Sequence, residues 1–278
     1  MKKILCPTDF SNKSLDTYRF ASNLALSLPA DLILYHASIK PIGQTNDKYF
    51  KNTQDLPDEI EGKNRALLET WQRLKNSEVK EGRRSQFDFV IEEGFPLSSI
   101  IRFTEKIAID LVVMHTKTEP DSKHEGVYIG SIGAQVVEDV KCPVLLLPKG
   151  IIYDSIKKLV YAIDLDSYSE ECISIALKVA QSFKATISFL YMGSSDHQEL
   201  NVVKSILKAE LENGSVSLEI RDEDDFIIGI NNFIDSQNMD MLIMERHRKN
   251  ILDKLFSKSL INAMEKYAEK PLLILPVD

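Results

Sequence analysis

The chain has 278 residues, of which 44% are apolar and 27% are charged, and its formal net charge is -8. A chain of this length is expected to form two domains, and its acidity argues against a nucleic acid or an anionic membrane surface as the main partner. No apolar run reaches the roughly 18 residues of a membrane-spanning helix, and Pro7 and Asp9 interrupt the N-terminal run before it resembles a signal peptide. We therefore expect a cytoplasmic protein.

The first half of the chain alternates five apolar runs with segments of helical periodicity. The runs read ILCP, DLILYH, FDFVIEE, DLVVMH and PVLLLP in chain order. Continuous runs rich in Val, Ile and Leu are typical of strands that are buried on both faces of a parallel sheet. After the first run, Ser11 is the predicted N-cap of a helix whose apolar residues recur at steps of three and four: Leu15, Tyr18, Ala21, Leu24 and Leu28. The polar stretch around 40–64 is predicted to be an insertion.

The second half of the chain repeats the first. ILCPTD at 4–9 matches LVYAID at 159–164, an offset of 155 residues, and DLVVM at 110–114 matches DMLIM at 240–244. CPVLLLP at 142–148 likewise matches KPLLILP at 270–276. This repeat predicts an α/β protein with two tandem domains, 1–150 and 151–278, each a doubly wound, five-stranded parallel sheet.

Two polar clusters of the second copy mark predicted helix starts. Ser167 and Glu170 have the spacing of a capping box. The acidic stretch DEDD at 222–225 could resemble a metal site, but it stands where the first copy begins a helix, so we interpret it as acidic residues that favour the helix dipole. Neither cluster therefore predicts a functional site.

The fifth strands, 143–147 and 271–275, come last in their copies and are predicted to lie at sheet edges. An exposed apolar edge strand normally pairs with another strand. We therefore expect self-association through these strands, across a domain or a subunit interface, and a dimer. The three cysteines, Cys6, Cys142 and Cys172, lie in or beside apolar runs without metal-like spacing, so reduced core thiols are expected.

A ligand of a doubly wound sheet binds at the carboxyl ends of the strands. In the first copy these ends carry Pro7-Thr8-Asp9, His36-Ala37 and Met114. Gly130 and Ser131 open the next helix, whose free backbone N–H groups suit a phosphate. The candidate ligand-binding residues are Thr8, Asp9, Ala37, Met114, Gly130, Ser131 and Ile132.

These motifs resemble those of the universal stress protein family. The resemblance rests on PTDFS after the first strand, DLVVM before a long loop, GS at the start of a helix and then CPVLLLP, and it extends across both copies. It implies an adenine nucleotide alpha hydrolase-like fold. Some members of the family bind ATP and others do not, and those that bind it carry Gly-x2-Gly-x9-Gly-[Ser/Thr] after strand four. Asp9 resembles the aspartate on the adenine side of that site.

Both copies depart from the phosphate motif. The first keeps Gly130-Ser131 but has Lys117 and Pro120 at the other two glycine positions. The second has Glu245, Arg248 and Lys258 at the three glycine positions and keeps only Ser259, so bulky side chains are expected to fill the phosphate space. Lys117, Lys123 and His124 are alternative phosphate ligands in the first copy, and Arg246-His247-Arg248-Lys249 is an alternative anion site in the second. Both stretches are equally consistent with solvated loops.

No catalytic set is recognisable. The sequence has no Gly-x-Ser-x-Gly elbow, Walker loop or Gly-x-Gly-x-x-Gly motif, and His36 and His115 have no metal ligand at the required spacing. We predict a non-enzymatic stress-response protein, a regulatory or protective binding module that binds no metal and whose second domain lacks a working ATP phosphate loop. The alternative is an adenine-nucleotide sensor that binds ATP, ADP or AMP in the first domain only. A protein partner that the sequence does not identify fits either function.

Overall fold

A computed structural model of the chain describes residues 1–9, 11–38, 49–50, 69, 72, 76, 86–115, 131–223, 225–246 and 270–277. The described residues form two compact units, and the division falls between Ile151 and Ile152. No described helix combines the length and the apolar composition needed to cross a lipid bilayer.

The first unit contains six strands and three helices among its described residues. They are β1 (Lys3–Pro7), α1 (Asn12–Ser27), β2 (Asp31–Ser38), β3 (Tyr49–Phe50), β4 (Phe87–Glu93), α2 (Pro96–Ile107), β5 (Leu111–His115), α3 (Ser131–Asp139) and β6 (Val144–Leu147). The strand order is β3-β4-β2-β1-β5-β6. Five of these strands pair in parallel, as predicted.

The short strand β3 departs from the prediction of a purely parallel sheet. It pairs antiparallel with β4, with Tyr49 opposite Val90 and Phe50 opposite Phe89. It lies inside the polar stretch around 40–64 that was predicted to be an insertion. A strand of two residues has no periodicity of its own, so only its pairing with β4 reveals it.

The second unit has five parallel strands among its described residues. Its elements are a 3₁₀ turn (Tyr153–Ser155), β7 (Lys158–Ile163), α4 (Glu170–Phe183), β8 (Thr186–Met192), α5 (Glu199–Ile206), α6 (Lys208–Glu212), β9 (Val216–Arg221), α7 (Phe226–Gln237), β10 (Met241–Arg246) and β11 (Leu272–Pro276). The order β11-β10-β7-β8-β9 matches that of β6, β5, β1, β2 and β4. The register matches too, because Lys3 faces Asp31 in the first unit and Lys158 faces Thr186 in the second, each 155 residues further on.

Side-chain caps set the helix starts. Ser11 caps α1, as predicted, and its Oγ accepts a hydrogen bond from the Ser14 N–H at 3.3 Å. The capping-box prediction for α4 is wrong: Ser169 is the cap, at 3.4 Å from the Cys172 N–H. The Ser167 hydroxyl donates instead to the Asp164 carboxylate at 2.9 Å, which holds it in the preceding turn.

The acidic stretch at 222–225 ends in another helix cap. The Asp225 carboxylate accepts a hydrogen bond from the Ile228 N–H at 3.1 Å, at the start of α7. Among the described residues, no group of three His, Cys, Asp or Glu side chains could hold a metal ion. The interpretation of this stretch as a helix start is therefore confirmed for Asp225.

The strands form the core of each unit. The β1, β5 and β7 residues Ile4, Leu5, Val112, Val113 and Tyr161 are fully buried. The three cysteines are buried and free, as predicted. Burial raises the pKa of the Cys6 thiol to about 12, so this thiol stays protonated and unreactive at neutral pH.

One carboxylate in each unit binds two backbone N–H groups at the start of the first strand. Asp110 Oδ2 accepts hydrogen bonds from the N–H groups of Lys2 and Lys3, both at 2.9 Å. Asp240 Oδ2 accepts the same pair from Lys157 and Lys158, again at 2.9 Å. The carboxylate therefore ties two strands together in both units, which explains the shared aspartate of DLVVM and DMLIM.

We expect Asp110→Ala and Asp240→Ala each to lower the free energy of unfolding by about 1–2 kcal/mol, because each substitution removes two hydrogen bonds to a charged acceptor, most of them exposed to water. Urea denaturation measures this loss. Asp139→Ala, an exposed aspartate of α3, is the control and should change stability by less than about 0.5 kcal/mol. Equal effects of all three substitutions would contradict the assignment.

Candidate ligand-binding site

The first unit contains a cavity of about 320 Å³ at the carboxyl ends of its strands. The walls come from the ends of β1, β2 and β5 and from the first turns of α2 and α3. The lining residues are Pro7, Thr8, Asp9, Tyr35, His36, Ala37, Pro96, Ile100, Met114, His115, Ile132 and Gly133. The position is the one where a doubly wound sheet binds its ligand.

The cavity brings together most of the predicted site residues. Thr8, Asp9, Ala37, Met114 and Ile132 all line it. Ser131 begins α3, directly before the lining residue Ile132. Gly130 lies outside the described residues, as do Lys117, Lys123 and His124. The structure thus shows where five of the candidates meet.

Thr8, a lining residue, joins the ends of β1 and β2. Its N–H donates to the Tyr35 carbonyl at 2.8 Å, and its own carbonyl lies 2.8 Å from His36 Nδ1. Burial lowers the pKa of His36, and this effect outweighs the opposing effects of the Thr8 carbonyl and of Asp9. The ring is therefore neutral near pH 7, with the proton on Nδ1 and an acceptor nitrogen at Nε2.

Asp9 is a carboxylate with a fixed orientation. Its Oδ1 accepts hydrogen bonds from the Ser11 N–H at 3.0 Å and from the Ser14 hydroxyl at 2.5 Å. Partial burial acts to raise its pKa, but the hydrogen bonds from Ser11 and Ser14 and the field of His115 outweigh it and lower the pKa. Because its pKa is lowered, Asp9 is ionised at neutral pH, and among the described residues its Oδ2 accepts no hydrogen bond. Asp9 is therefore a charged acceptor in the lining of the cavity.

Tyr35, Glu92 and Arg102 form a polar network next to the cavity that was not predicted from the sequence. The Tyr35 hydroxyl donates to Glu92 Oε2 at 3.0 Å, and Arg102 Nη2 lies 3.3 Å from the same oxygen. Glu92 is only 4% exposed. Burial, and then the charge of Glu92, raise the pKa of Tyr35, so this hydroxyl remains a donor. An acidic residue at the end of an apolar strand was a signal for Glu92 alone, and no signal in the sequence indicated its partners Tyr35 and Arg102.

The apolar wall formed by α2 was also missed. Pro96 and Ile100 lie one turn apart at the start of α2 and both line the cavity. Gly133, in the first turn of α3, lines it as well. The spacing of Pro96 and Ile100 at four residues, directly after the carboxyl end of β4, was the signal for a helix face turned toward the site.

In the second unit, larger side chains take the corresponding positions. By strand register, Ile163 stands at the position of Thr8 and Met192 at that of Ala37. Ile163 is 1% exposed. Met192 packs against α7, because a Cβ on Gly229 would lie 2.9 Å from Met192 Cε. The side chains that leave space in the first unit are thus replaced by larger ones in the second.

Glu245 occupies a buried environment in the second unit. It was predicted to stand in an open phosphate loop, but it is 4% exposed and belongs to β10. Its Oε1 accepts hydrogen bonds from the Tyr161 hydroxyl and from the Ser169 N–H, the latter at 3.2 Å. Burial raises the pKa of Glu245, and the charge of Asp164 adds to this, against the lowering effect of the two hydrogen bonds. Arg248 and Lys258 lie outside the described residues.

Comparisons with known proteins agree with this fold. The family model described as the universal stress protein family matches residues 1–148. A curated universal stress protein of Methanocaldococcus jannaschii is 29% identical over 150 residues, which are 53% of this chain and 82% of that protein.

Two solved structures are similar to this chain over nearly its full length. A universal stress protein from Archaeoglobus fulgidus has a TM-score of 0.62 at 14% identity, over 99% of this chain and 96% of that chain. The cytoplasmic domain of a prokaryotic cation chloride cotransporter has a TM-score of 0.57 at 13% identity, over 99% and 95%. At these identities the likeness shows the fold alone, and it confirms the predicted α/β architecture.

Proposed function

Since the chain belongs to the universal stress protein family, we propose that it is a non-enzymatic, cytoplasmic stress-response protein that acts as a regulatory binding module. Its first unit binds an adenine nucleotide in the cavity beside Asp9, and its second unit, a second copy of the same domain, binds none. The cavity carries this proposal, because it brings five predicted ligand residues together at the carboxyl ends of the strands. Of the two functions that the sequence left open, the cavity favours the nucleotide sensor.

The chemistry of the cavity suits a nucleoside. Apolar side chains of the lining, among them Ile100 and Met114, provide contact surfaces for a base. Asp9 Oδ2 is positioned to accept a hydrogen bond from an amino or hydroxyl group of the ligand. The first turn of α3, with Ile132 and Gly133 in the lining, provides backbone N–H groups for a phosphate.

Two observations support nucleotide binding by the first unit only. Met192 and Ile163 fill the positions that Ala37 and Thr8 leave open in the first unit. The sequence of the second unit also has no glycine at the three positions of the phosphate motif. Without glycine the backbone is kept away from a phosphate by its side chains.

The described lining residues also support binding without turnover. They include no Ser, Cys or Lys, and their side chains with nucleophilic atoms are Thr8, Asp9, Tyr35, His36 and His115. The Tyr35 hydroxyl donates to Glu92, and His36 Nδ1 is engaged by the Thr8 carbonyl. Tyr35 and His36 are thus each hydrogen-bonded within the protein, which supports a binding role for these two side chains.

Self-association remains part of the proposal. The fifth strands, β6 and β11, each stand at one end of the strand order of their own unit. We propose that these strands pair across a domain or subunit interface. Analytical ultracentrifugation of the full chain measures whether a dimer forms.

Calorimetric titration of the full chain with AMP, ADP and ATP tests the binding function. We expect one nucleotide per chain, and we expect Asp9→Ala to weaken binding at least about tenfold, because the ligand loses a charged acceptor. Asp164→Ala is the matched control at the corresponding position of the second unit and should leave affinity unchanged. Absence of binding, two nucleotides per chain, or nucleotide hydrolysis would each contradict the proposal.

A further inference from the structure

A buried serine of α1 holds the carboxylate of Asp9. Ser14 is 1% exposed, and its hydroxyl donates to Asp9 Oδ1 at 2.5 Å. Its Oγ also lies 3.3 Å from the Ser11 Oγ. Because the Ser14 proton is donated to Asp9, the Ser11 hydroxyl is the donor in this second contact. A serine inside a helix often bonds a carbonyl of its own helix, whereas Ser14 bonds a carboxylate that precedes the helix.

The second unit contains the same two residues in a different arrangement. At the offset of 155 residues, Asp164 matches Asp9 and Ser169 matches Ser14. Both aspartates accept a hydrogen bond at 3.0 Å from the N–H two residues further on, so the turn itself is shared. The Ser169 hydroxyl, however, accepts from the Cys172 N–H and caps α4. Within the described parts of the two units, the bond between serine and aspartate is thus found in the first unit.

The different starts of the two helices explain this contrast. Counted with the offset of 155 residues, α4 begins at Glu170, three residues later than α1, which begins at Asn12. Ser14 therefore lies within the first turn of its helix, from which its hydroxyl reaches back to Asp9. Ser169 lies directly before its helix, where a serine oxygen binds a helix N–H. The additional turn of α1 thus supplies a second donor to the aspartate of the first unit.

We propose that Ser14 is a positioning residue of the ligand site, whose hydroxyl holds the Asp9 carboxylate in the orientation in which it accepts a hydrogen bond from the bound nucleoside. The inference rests on the proposed nucleotide-binding function. A side chain that is already oriented loses less conformational entropy when the ligand binds. Ser14 therefore increases affinity without touching the ligand.

Calorimetric titration of the full chain with AMP at neutral pH tests the positioning role. Ser14→Ala is expected to weaken binding about three- to tenfold, because Asp9 loses the donor that orients it. Ser22→Ala changes another buried serine of α1 and should leave the affinity unchanged. Ser169→Ala removes the cap of α4, so it should lower the urea midpoint without changing the affinity. AMP binding by Ser14→Ala at the affinity of the unaltered chain would overturn the inference and leave the proposed function intact.

A double-mutant cycle shows whether Ser14 acts through Asp9. In the Asp9→Ala chain, the further substitution Ser14→Ala should not weaken AMP binding again, because the group that Ser14 positions is gone. An equal loss in both backgrounds would mean that Ser14 acts on the ligand or on the fold directly, and the inference would be wrong.

An NMR titration of the Asp9 carboxyl carbon measures the bond without any ligand. Partial burial acts to raise the pKa of Asp9, while the hydrogen bonds from Ser11 and Ser14 and the field of His115 lower it. The charge of Asp9 also acts on His36, and both histidines are kept in the variant. Ser14→Ala is therefore expected to raise the pKa of Asp9.

The two measurements together separate the inference from the proposed function. An unchanged pKa of Asp9 in Ser14→Ala would show that the hydroxyl does not hold the carboxylate, which overturns the inference whether or not AMP binds. A raised pKa in a chain that binds no AMP would mean that the proposed function has failed, and the positioning role with it. A raised pKa together with weakened AMP binding is the result that we expect.

Discussion

Replacing Ala37 with Met is expected to weaken nucleotide binding by at least about a hundredfold and to leave the fold intact. The second unit shows what a methionine does at this position, because strand register places Met192 there. Met192 packs over Gly229, where a Cβ would come within 2.9 Å of its Cε. In the first unit, Ser99 stands in place of Gly229, so the new side chain has to occupy the cavity instead.

The reason for the large effect is volume. The cavity measures about 320 Å³, and Ala37 is one of the small side chains in its wall. A methionine adds three heavy atoms to that wall and takes the place of the base. Overpacking of this kind costs about 1–3 kcal/mol of stability in a dense core. Here the side chain enters open space, so the loss of binding is expected to exceed the loss of stability.

Calorimetry with AMP measures the binding of Ala37→Met, and urea denaturation confirms that the variant is folded. Met192→Leu is the matched control, since it conserves the volume at the corresponding position of the second unit and should not change affinity. Nucleotide binding by Ala37→Met at the affinity of the unaltered chain would show that the ligand does not occupy this cavity.

The fold could be predicted from the sequence because its determinants are local or periodic. The strands are buried on both faces, so each appears as a continuous apolar run. The repeat, at an offset of 155 residues for the first two strands and of 130 and 128 residues for the last two, places the runs in the same order twice. The Ser11 cap of α1 acts within one turn of the chain. Two serines, Ser167 and Ser169, were possible N-caps of α4. Because the Ser167 hydroxyl donates to the Asp164 carboxylate, Ser169 is the cap, and the sequence did not show this.

Part of the candidate site was predictable for the same reason. Thr8, Asp9 and Ala37 end or directly follow strands, so the rule of ligand binding at strand ends identifies them. Their partners come from elsewhere in the chain. Glu92 reaches Tyr35 across 57 residues and Arg102 across 10, and a single sequence contains no signal for such pairings. The buried network behind the cavity therefore became visible only in three dimensions.

The two units differ at the strand ends, where the proposed ligand site lies. The first unit has a threonine and an alanine where β1 and β2 end, and a cavity beside them. The second has isoleucine and methionine at those positions, and a buried carboxylate at the end of β10. Strand order and register are unchanged. The proposed difference in ligand binding between the two units is therefore explained by substitutions at the strand ends, since the strand order and register are the same in both.

The buried pair of Tyr161 and Glu245 is expected to make stability depend on pH. Burial raises the pKa of Glu245 above its ordinary value of 4.5, so the folded protein holds this proton more tightly than the unfolded chain. Below the unfolded pKa both states are protonated and the stabilisation is fully present. It is lost as the pH rises through the folded pKa, because the carboxyl then ionises in a buried environment.

Glu245→Gln is expected to weaken the dependence of the unfolding free energy on pH in this range. The amide stays neutral, and its oxygen still accepts hydrogen bonds from Tyr161 and the Ser169 N–H. Urea denaturation at a series of pH values from below 4.5 upward measures both curves. Glu171→Gln changes an exposed residue of α4 and serves as the control, which should keep the slope of the unaltered chain.

Tyr161→Phe tests the same pair by removing the hydrogen-bond donor instead of the carboxyl group. The tyrosine is fully buried, and its ring contacts Phe189 edge-on with centroids 4.9 Å apart, so phenylalanine preserves the packing and removes only the hydroxyl. Glu245 then loses a donor inside the unit, which is expected to cost about 1–3 kcal/mol of unfolding free energy. The loss should be larger at the high end of the pH series, where the carboxylate is ionised and needs the donor most. A cost that is independent of pH would contradict the coupling, because it would mean that Glu245 keeps one protonation state across the whole range.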